Sequence, residues 1–451
     1  MHIKKINILA VSGLLAVATV FPLWDVNAEA AESDNKAEVQ VEETAPAKTA
    51  EATVSKYADK IVDTDTMKPC LSVASWKPEI KMQIEDFLGP YVTSEIKIPH
   101  KKNKGPKIKD IPYAILNIDE TAGINKAQEQ VLIYQLETLS FAMTPEKFAE
   151  VIRTGMTDQM IHSSYGADNG QGQEIMLSTI MDDAVEAYTN LYKAGAIKIG
   201  KSKKMADVAG SEDFKEFGAK MLWLYHAVNA TQGADIAKPW AGYLYTGMTP
   251  YDVYSTIIKG LEQYGDYVDE KSADKKKAEE VKKDLGKEVT LKSPQLKNKV
   301  SVSASYHSGI NSTKQVAEMV KAIQVSGLDV WVVSSANYEL VRACLNYYHV
   351  PPADGILAMR TKVDKEGRYV NEYNYKYHPA TYYKDGMISA VKKEITSYYN
   401  AKVPAIIAED KYNTADEGYV DFCAVYPATR LKLYFENGEA SEAIVTPRKS
   451  K

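Results

Sequence analysis

The stretch PYAILNIDETAG, Pro112 to Gly123, decides the fold. Tyr113 to Leu116 is an apolar run that stops at Asn117, and Asp119, Glu120 and Thr121 follow before Gly123. This pattern predicts a buried strand running into an acidic loop. Two later stretches have the same form: LDVWVVSSA (328–336) ends in Ser334 and Ser335, and VPAIIAED (403–410) ends in Glu409 and Asp410. Amphipathic segments separate them, among them STKQVAEMVKAIQVSG, NYELVRACLNYY and DGMISAVKKEITSYY. Short apolar strands alternating with helices predict an α/β fold, a Rossmann-like parallel sheet covered on both faces. A ligand crevice in such a sheet lies at the carboxyl ends of the strands. Those ends carry Asn117 and Asp119, Ser334, and Glu409 with Asp410.

Working outward, residues 125–264 read as helices spaced three and four apart in their hydrophobics. AQEQVLIYQLETLSFAM, for example, sets Leu132, Leu136, Leu139 and Met143 on one face. The expectation is a large, mainly helical cap inserted after the first strand. It spans 125–300, includes a run of mixed charges near 269–288, and divides 56–124 from the rest of the core at 301–446. DGILAMRTKVDKEGRYV reads as two strands around a turn at Glu366 and Gly367. MHIKK followed by the apolar INILAVSGLLAVATVFPLW and the small residues of VNAEA predicts a secretory signal over 1–30, cut after Ala28 or Ala30. Residues 31–55, rich in Ala, Glu and Thr, read as a disordered acidic linker. The expected location is therefore secreted or periplasmic, with no membrane attachment after cleavage.

The chain of 451 residues has a formal net charge of -5 and a pI near 5.9. That balance disfavours nucleic acid as a partner. Cys70, Cys344 and Cys423 cannot all pair, and their spacing fits no metal pattern. Cys344 and Cys423 lie among apolar residues, which predicts buried thiols. His307 and His378 have no metal-spaced partner.

The three strand ends, in this order, resemble those of the haloacid-dehalogenase-like (HAD) phosphatases, and the resemblance tightens toward the secreted phosphorylcholine phosphatases. AILNIDET is similar to the first motif, Asp-x-Asp-x-Thr, and DVWVVSSANYELVR to the second. KPWAGYLYTGMT, YHPATYYKDGMISAV and VPAIIAEDKYNTADEGYV resemble further segments of that family, together spanning about Ser75 to Ala424. The resemblance implies an aspartate nucleophile at position 117 and a general acid and base at Asp119. It further implies a loop-steadying Thr121, a phosphate-binding Ser334, a third-motif lysine, and fourth-motif acids that hold magnesium.

Three positions depart from that pattern. Asn117 stands at the nucleophile, and a neutral amide oxygen is a very poor nucleophile and a weaker magnesium ligand. Met387 stands at the lysine, with Lys384 three residues earlier as the candidate substitute. Glu409 replaces a glycine, while Asp410 is kept and Asp416 or Glu417 follows as the second acid. The candidate site is thus Asn117, Asp119, Thr121, Ser334 and Lys384, with Asp410 and Asp416 toward magnesium. Glu129 and Trp240 in the cap are candidates for binding substrate, since a carboxylate near aromatics can hold a quaternary ammonium, the alternatives being a solvated helix glutamate and a core tryptophan. Asp119, Thr121 and Ser334 would equally serve to brace the strand-end turn. Two functions stay open: a secreted pseudo-phosphatase that binds a small phosphorylated or quaternary-ammonium ligand or a surface partner, and an active magnesium-dependent phosphomonoesterase.

Overall fold

The computed structural model describes residues 62–63, 68–92, 111–119, 124–161, 167–168, 174–200, 202–265, 286–294, 298, 300–310, 314–374, 385–411, 420–436 and 438–447. The signal, the linker, Thr121, His378, Lys384, Asp416 and Glu417 lie outside the described residues. In chain order, helix α1 (Pro78–Leu88) precedes strand β1 (Tyr113–Asn117). The insert follows, with α2 (Ile124–Thr138), α3 (Leu177–Lys193), α4 (Glu212–Thr231), α5 (Ala234–Tyr243), α6 (Pro250–Tyr264), β2 (Glu288–Lys292) and β3 (Ser301–His307). Then come α7 (Lys314–Val325), β4 (Asp329–Asn337), α8 (Tyr338–Tyr347), β5 (Gly355–Met359), α9 (Asp385–Ala390), β6 (Ile406–Asp410), β7 (Leu431–Glu436) and β8 (Glu439–Val445).

The six-stranded sheet runs β5-β4-β1-β6-β7-β8. Its first five strands are parallel and β8 returns antiparallel to β7. β1 sits inside it with all five residues buried, which is why its sequence is apolar without alternation. Ala114, Leu116, Val330, Val332 and Ala408 face a layer that includes α1 and α7. Tyr113, Ile115, Val333 and Ile407 face the opposite layer, built around Met387, Val391, Ile395 and Phe422. Gly327, at φ +80°, ends α7 and turns the chain into β4.

The insert has its own core, in which α3 and α4 pack with Phe148, Trp240, Val302 and Tyr306. Its last strand, β3, pairs with β2 and belongs to that core, so the insert extends past the expected boundary at residue 300. The periodicity of β3 (Val302, Ala304 and Tyr306 inward) is a strand's, and the sequence reading had returned that stretch to the sheet. α2 ties the two cores together, with Ala127 and Val131 in one and Leu132 and Leu136 in the other. A second tie is the hairpin Thr361–Val363 and Tyr369–Tyr373. The Gly247 amide donates to the Tyr369 carbonyl and the Tyr369 amide donates to the Met248 carbonyl, both at 2.8 Å. Gly247 has φ +85° and a Cβ there would lie 2.7 Å from the Ala142 carbonyl oxygen, so this turn admits only glycine. DGILAMRTKV therefore holds β5 and the first hairpin strand, and the expected turn closes a hairpin outside the main sheet.

Glu318 on α7 holds the segment ahead of α1. It accepts from the Ser72 amide at 2.6 Å, the Ser72 hydroxyl at 2.7 Å, the Val73 amide at 3.1 Å and the Trp76 indole at 2.7 Å. Glu318→Ala leaves these donors without their acceptor and is expected to cost about 2 kcal/mol, read as a lower urea midpoint at unchanged slope. Burial pushes the Glu318 carboxyl up, but the Ser72, Val73 and Trp76 donors together outweigh it and hold it below the ordinary value. A depressed folded pKa stabilises above the unfolded value and is lost as pH falls through the folded one. The difference in stability between parent and variant should therefore shrink below about pH 4.5. A difference independent of pH would refute the ionised clasp.

Candidate functional site

β1 and β4 are in register from Tyr113 opposite Asp329 to Asn117 opposite Val333. β4 continues four residues further, and this overhang builds the site. The Ile118 amide donates to the Val333 carbonyl at 3.1 Å, which turns the chain so that Asp119 meets Ser334 and Ser335. The Asp119 carboxylate accepts the Ser334 hydroxyl on Oδ1. It also accepts the Ser335 amide at 2.9 Å and the Ser335 hydroxyl at 2.5 Å on Oδ2. The Ser334 oxygen in turn accepts from the Ala336 amide at 3.0 Å. Ser334 is fully buried. Both Asp119 oxygens are therefore occupied, and the residue acts as a brace across two strand ends.

Asn117 is 6% exposed, and its Oδ1 has no hydrogen-bond partner among the described residues. An unmatched buried acceptor costs on the order of 1–3 kcal/mol, so this atom calls for a donor at the carboxyl end of the sheet. β6 pairs with β1 from Ala114 opposite Ile406 to Leu116 opposite Ala408. Glu409 is the next residue, on the same sheet face as Ile407 and Met387. It is fully buried and accepts the Phe422 amide at 2.8 Å and the Cys423 amide at 3.0 Å. Burial pushes the Glu409 carboxyl up to about 7, against the lowering by the Cys423 and Phe422 donors, and the nearby Asp421 charge adds to the rise. Its work is to cap the first turn of Phe422–Val425. Met387 is 2% exposed and packs with Val333, Val391 and Phe422. The three residues that depart from the phosphatase pattern thus share one layer beneath one face of the sheet.

Asp410, the last residue of β6, is half-buried on the other face. Magnesium needs hard oxygens free to coordinate. Among the described residues Asn117 offers a neutral oxygen, while the oxygens of Asp119 and Glu409 are taken by N–H and O–H donors. These residues are a weakened donor set for magnesium. Glu409, Asp421 and Cys423 bring three potential ligand atoms within 4.8 Å of one another. Glu409 is already engaged there by two amides, and burial pushes the Cys423 thiol up, away from the thiolate a metal needs. Cys344 is likewise buried, Cys70 is exposed, and all three thiols are free.

In the cap, Glu129 Oε1 lies 2.6 Å from His226 Nε2, both side chains partly exposed. Burial, then the charges of Glu137 and Glu129, push the nearby Tyr306 hydroxyl up to about 12. His226 carries no sequence signal of this pairing, because its partner is 97 residues away. Trp240 is 1% exposed and donates its indole N–H to the Ile152 carbonyl at 3.0 Å. It sits in the insert's core, in agreement with the packing alternative for this tryptophan, and presents no open aromatic face to a ligand. Its apolar surroundings in the sequence come from packing.

No family model and no curated protein matches the sequence. Among solved structures, the chain is similar to a conserved protein of unknown function from Anaerococcus prevotii DSM 20548. The TM-score is 0.59 at 20% identity, over 79% of this chain and 84% of that one. The likeness is one of fold, a mixed α/β architecture with a mostly parallel six-stranded sheet flanked by helices. Among the described residues no helix is long and apolar enough to cross a membrane.

Proposed function

We propose that the protein is an exported, HAD-phosphatase-like pseudoenzyme. On this reading it binds a small polar ligand at the carboxyl end of β1 and does not transfer phosphoryl groups. The observation that carries the reading is the pairing of a neutral Asn117, its acceptor unmatched, with an Asp119 whose carboxylate is occupied by Ser334 and Ser335. Attack on phosphorus needs a carboxylate at the first position, where this chain has a neutral amide, and Asp119 at the second is held by the serines in a bracing role. Met387 in an apolar layer and Glu409 capping Phe422 and Cys423 support the same reading. A phosphorylated or quaternary-ammonium small molecule is the ligand class that the family resemblance adds.

The test is release of phosphate from p-nitrophenyl phosphate and from phosphorylcholine, each with and without magnesium. No turnover above the buffer rate is expected. Magnesium-dependent turnover that Asp119→Asn abolishes overturns the proposal and establishes an active phosphomonoesterase. Calorimetric titration with phosphorylcholine tests the binding half, and Asn117→Leu should remove whatever heat the parent shows.

A further inference from the structure

Far from the sheet, α3 and α4 carry a second cluster that the proposed function does not use. Lys220 is fully buried, and its Nζ contacts both Asp183 Oδ2 and Glu216 Oε1, whose side chains are each 1% exposed. The other Asp183 oxygen accepts from Asn298 Nδ2 at 2.6 Å. One ammonium thus faces two carboxyls in a space closed to water. With both acids ionised the group would carry a net negative charge in a medium that solvates charge poorly. Burial pushes the Glu216 carboxyl up, the Lys220 contacts opposing it and the Asp183 charge adding to the rise. A proton on Glu216 makes the cluster neutral overall.

A neutral cluster of this composition holds every part of an amide-forming reaction. The amine is the nucleophile, the Asp183 carboxyl is the electrophile polarised by Asn298, and Glu216 is an acid in contact with the amine. Packing keeps them together, so their effective concentration is that of an intramolecular reaction. Water is the by-product, and its escape to bulk solvent draws the reaction forward. We propose that Lys220 and Asp183 condense spontaneously into an isopeptide bond that crosslinks α3 to α4, with Glu216 as the proton carrier.

The steps balance without a further reactant. Lys220 Nζ passes a proton to Asp183 Oδ2, which leaves a neutral amine beside a neutral carboxylic acid. The amine's electron pair attacks Cγ to form the Nζ–Cγ bond, and the resulting oxyanion on Oδ1 is held by the Asn298 N–H. Glu216 gives its proton to the Oδ2 hydroxyl, the Cγ–Oδ2 bond breaks, and water departs. The nitrogen returns a proton to Glu216, which ends as it began. The crosslink joins residues 37 apart in the chain, and it replaces three buried ionisable groups by an amide and one carboxylic acid. This inference does not depend on the phosphatase-like reading.

Mass spectrometry of the purified intact chain, with its N-terminus assigned, tests the bond directly. The parent protein is expected to be lighter than its sequence by one water. Amidated Lys220 resists trypsin, so the digest should hold peptide 154–193 joined to peptide 216–259, since trypsin also passes the Lys238-Pro239 bond. Lys220→Arg and Glu216→Gln should each restore the full sequence mass and separate the two peptides. The parent's own digest decides the matter even if a variant fails to fold. A parent of full mass that trypsin cuts after Lys220, or a water loss that maps elsewhere, overturns the proposal.

Discussion

Unfolding measured in a chelating buffer is expected to show Glu409 removing on the order of 3 kcal/mol of stability as pH rises from about 4.5 to about 7. The cause is a carboxyl fully buried beneath the sheet, beside Phe422, Ile407 and Met387. Burial raises its pKa, and the Cys423 and Phe422 amides recover only part of the lost solvation. Since the folded value lies above the unfolded one, the folded chain keeps this proton longer. The contribution is complete below the unfolded value and disappears as pH climbs through the folded one. Glu216 and Glu339 are also raised by burial and slope the same way. The difference between parent and Glu409→Gln therefore isolates the one residue. Glutamine keeps an acceptor for one of the two amides and does not titrate, so its curve should be flatter. Parallel curves would show that Glu409 is not the group responsible.

The parts of this fold legible in the sequence are those whose cause is local. β1, β4 and β6 are buried on both faces, so each shows as an unbroken apolar run with a polar residue at its end. β7 and β8 were not anticipated. LKLYFE and EASEAIV alternate and are partly exposed, because β8 forms the sheet edge with Glu439 and Ile444 toward solvent. A half-exposed edge has too little apolar contrast to stand out. The site divides the same way. That Asp119 and Ser334 lie at strand ends follows from pattern, but their hydrogen bond spans 215 positions and depends on register. Glu409 shows in the sequence only as a departure from glycine, and its partners are amides of a helix turn that only the folded chain brings there. Trp240 looked like a ligand contact because a core tryptophan and a binding tryptophan have the same neighbours in sequence.

Asn117→Asp, which restores the phosphatase pattern at its first position, is expected to destabilise the protein and yield no activity. Glu409 follows Ala408, which pairs with Leu116, and so lies on the neighbouring strand and the same face of the sheet. Two like charges about 5 Å apart repel by about 3 kcal/mol at an effective dielectric of about 20, which is the upper limit for a pair on neighbouring strands. As pH falls and the carboxyls take up protons, the variant should approach the parent in stability. Above about pH 7, where Glu409 ionises, its deficit should rise toward that limit beyond the parent's own decline. The new carboxyl also gains no helper, because Asp119 remains bound to Ser334 and Ser335. Adding Glu409→Gln should remove most of the deficit while phosphate release stays at the buffer rate. A single Asn117→Asp variant as stable as the parent at pH 8 would break the link between the two positions. If the link holds, Asn117 and Glu409 form one matched pair: an amide is the group this layer tolerates beside a buried acid, and return of the nucleophile requires the acid to leave first.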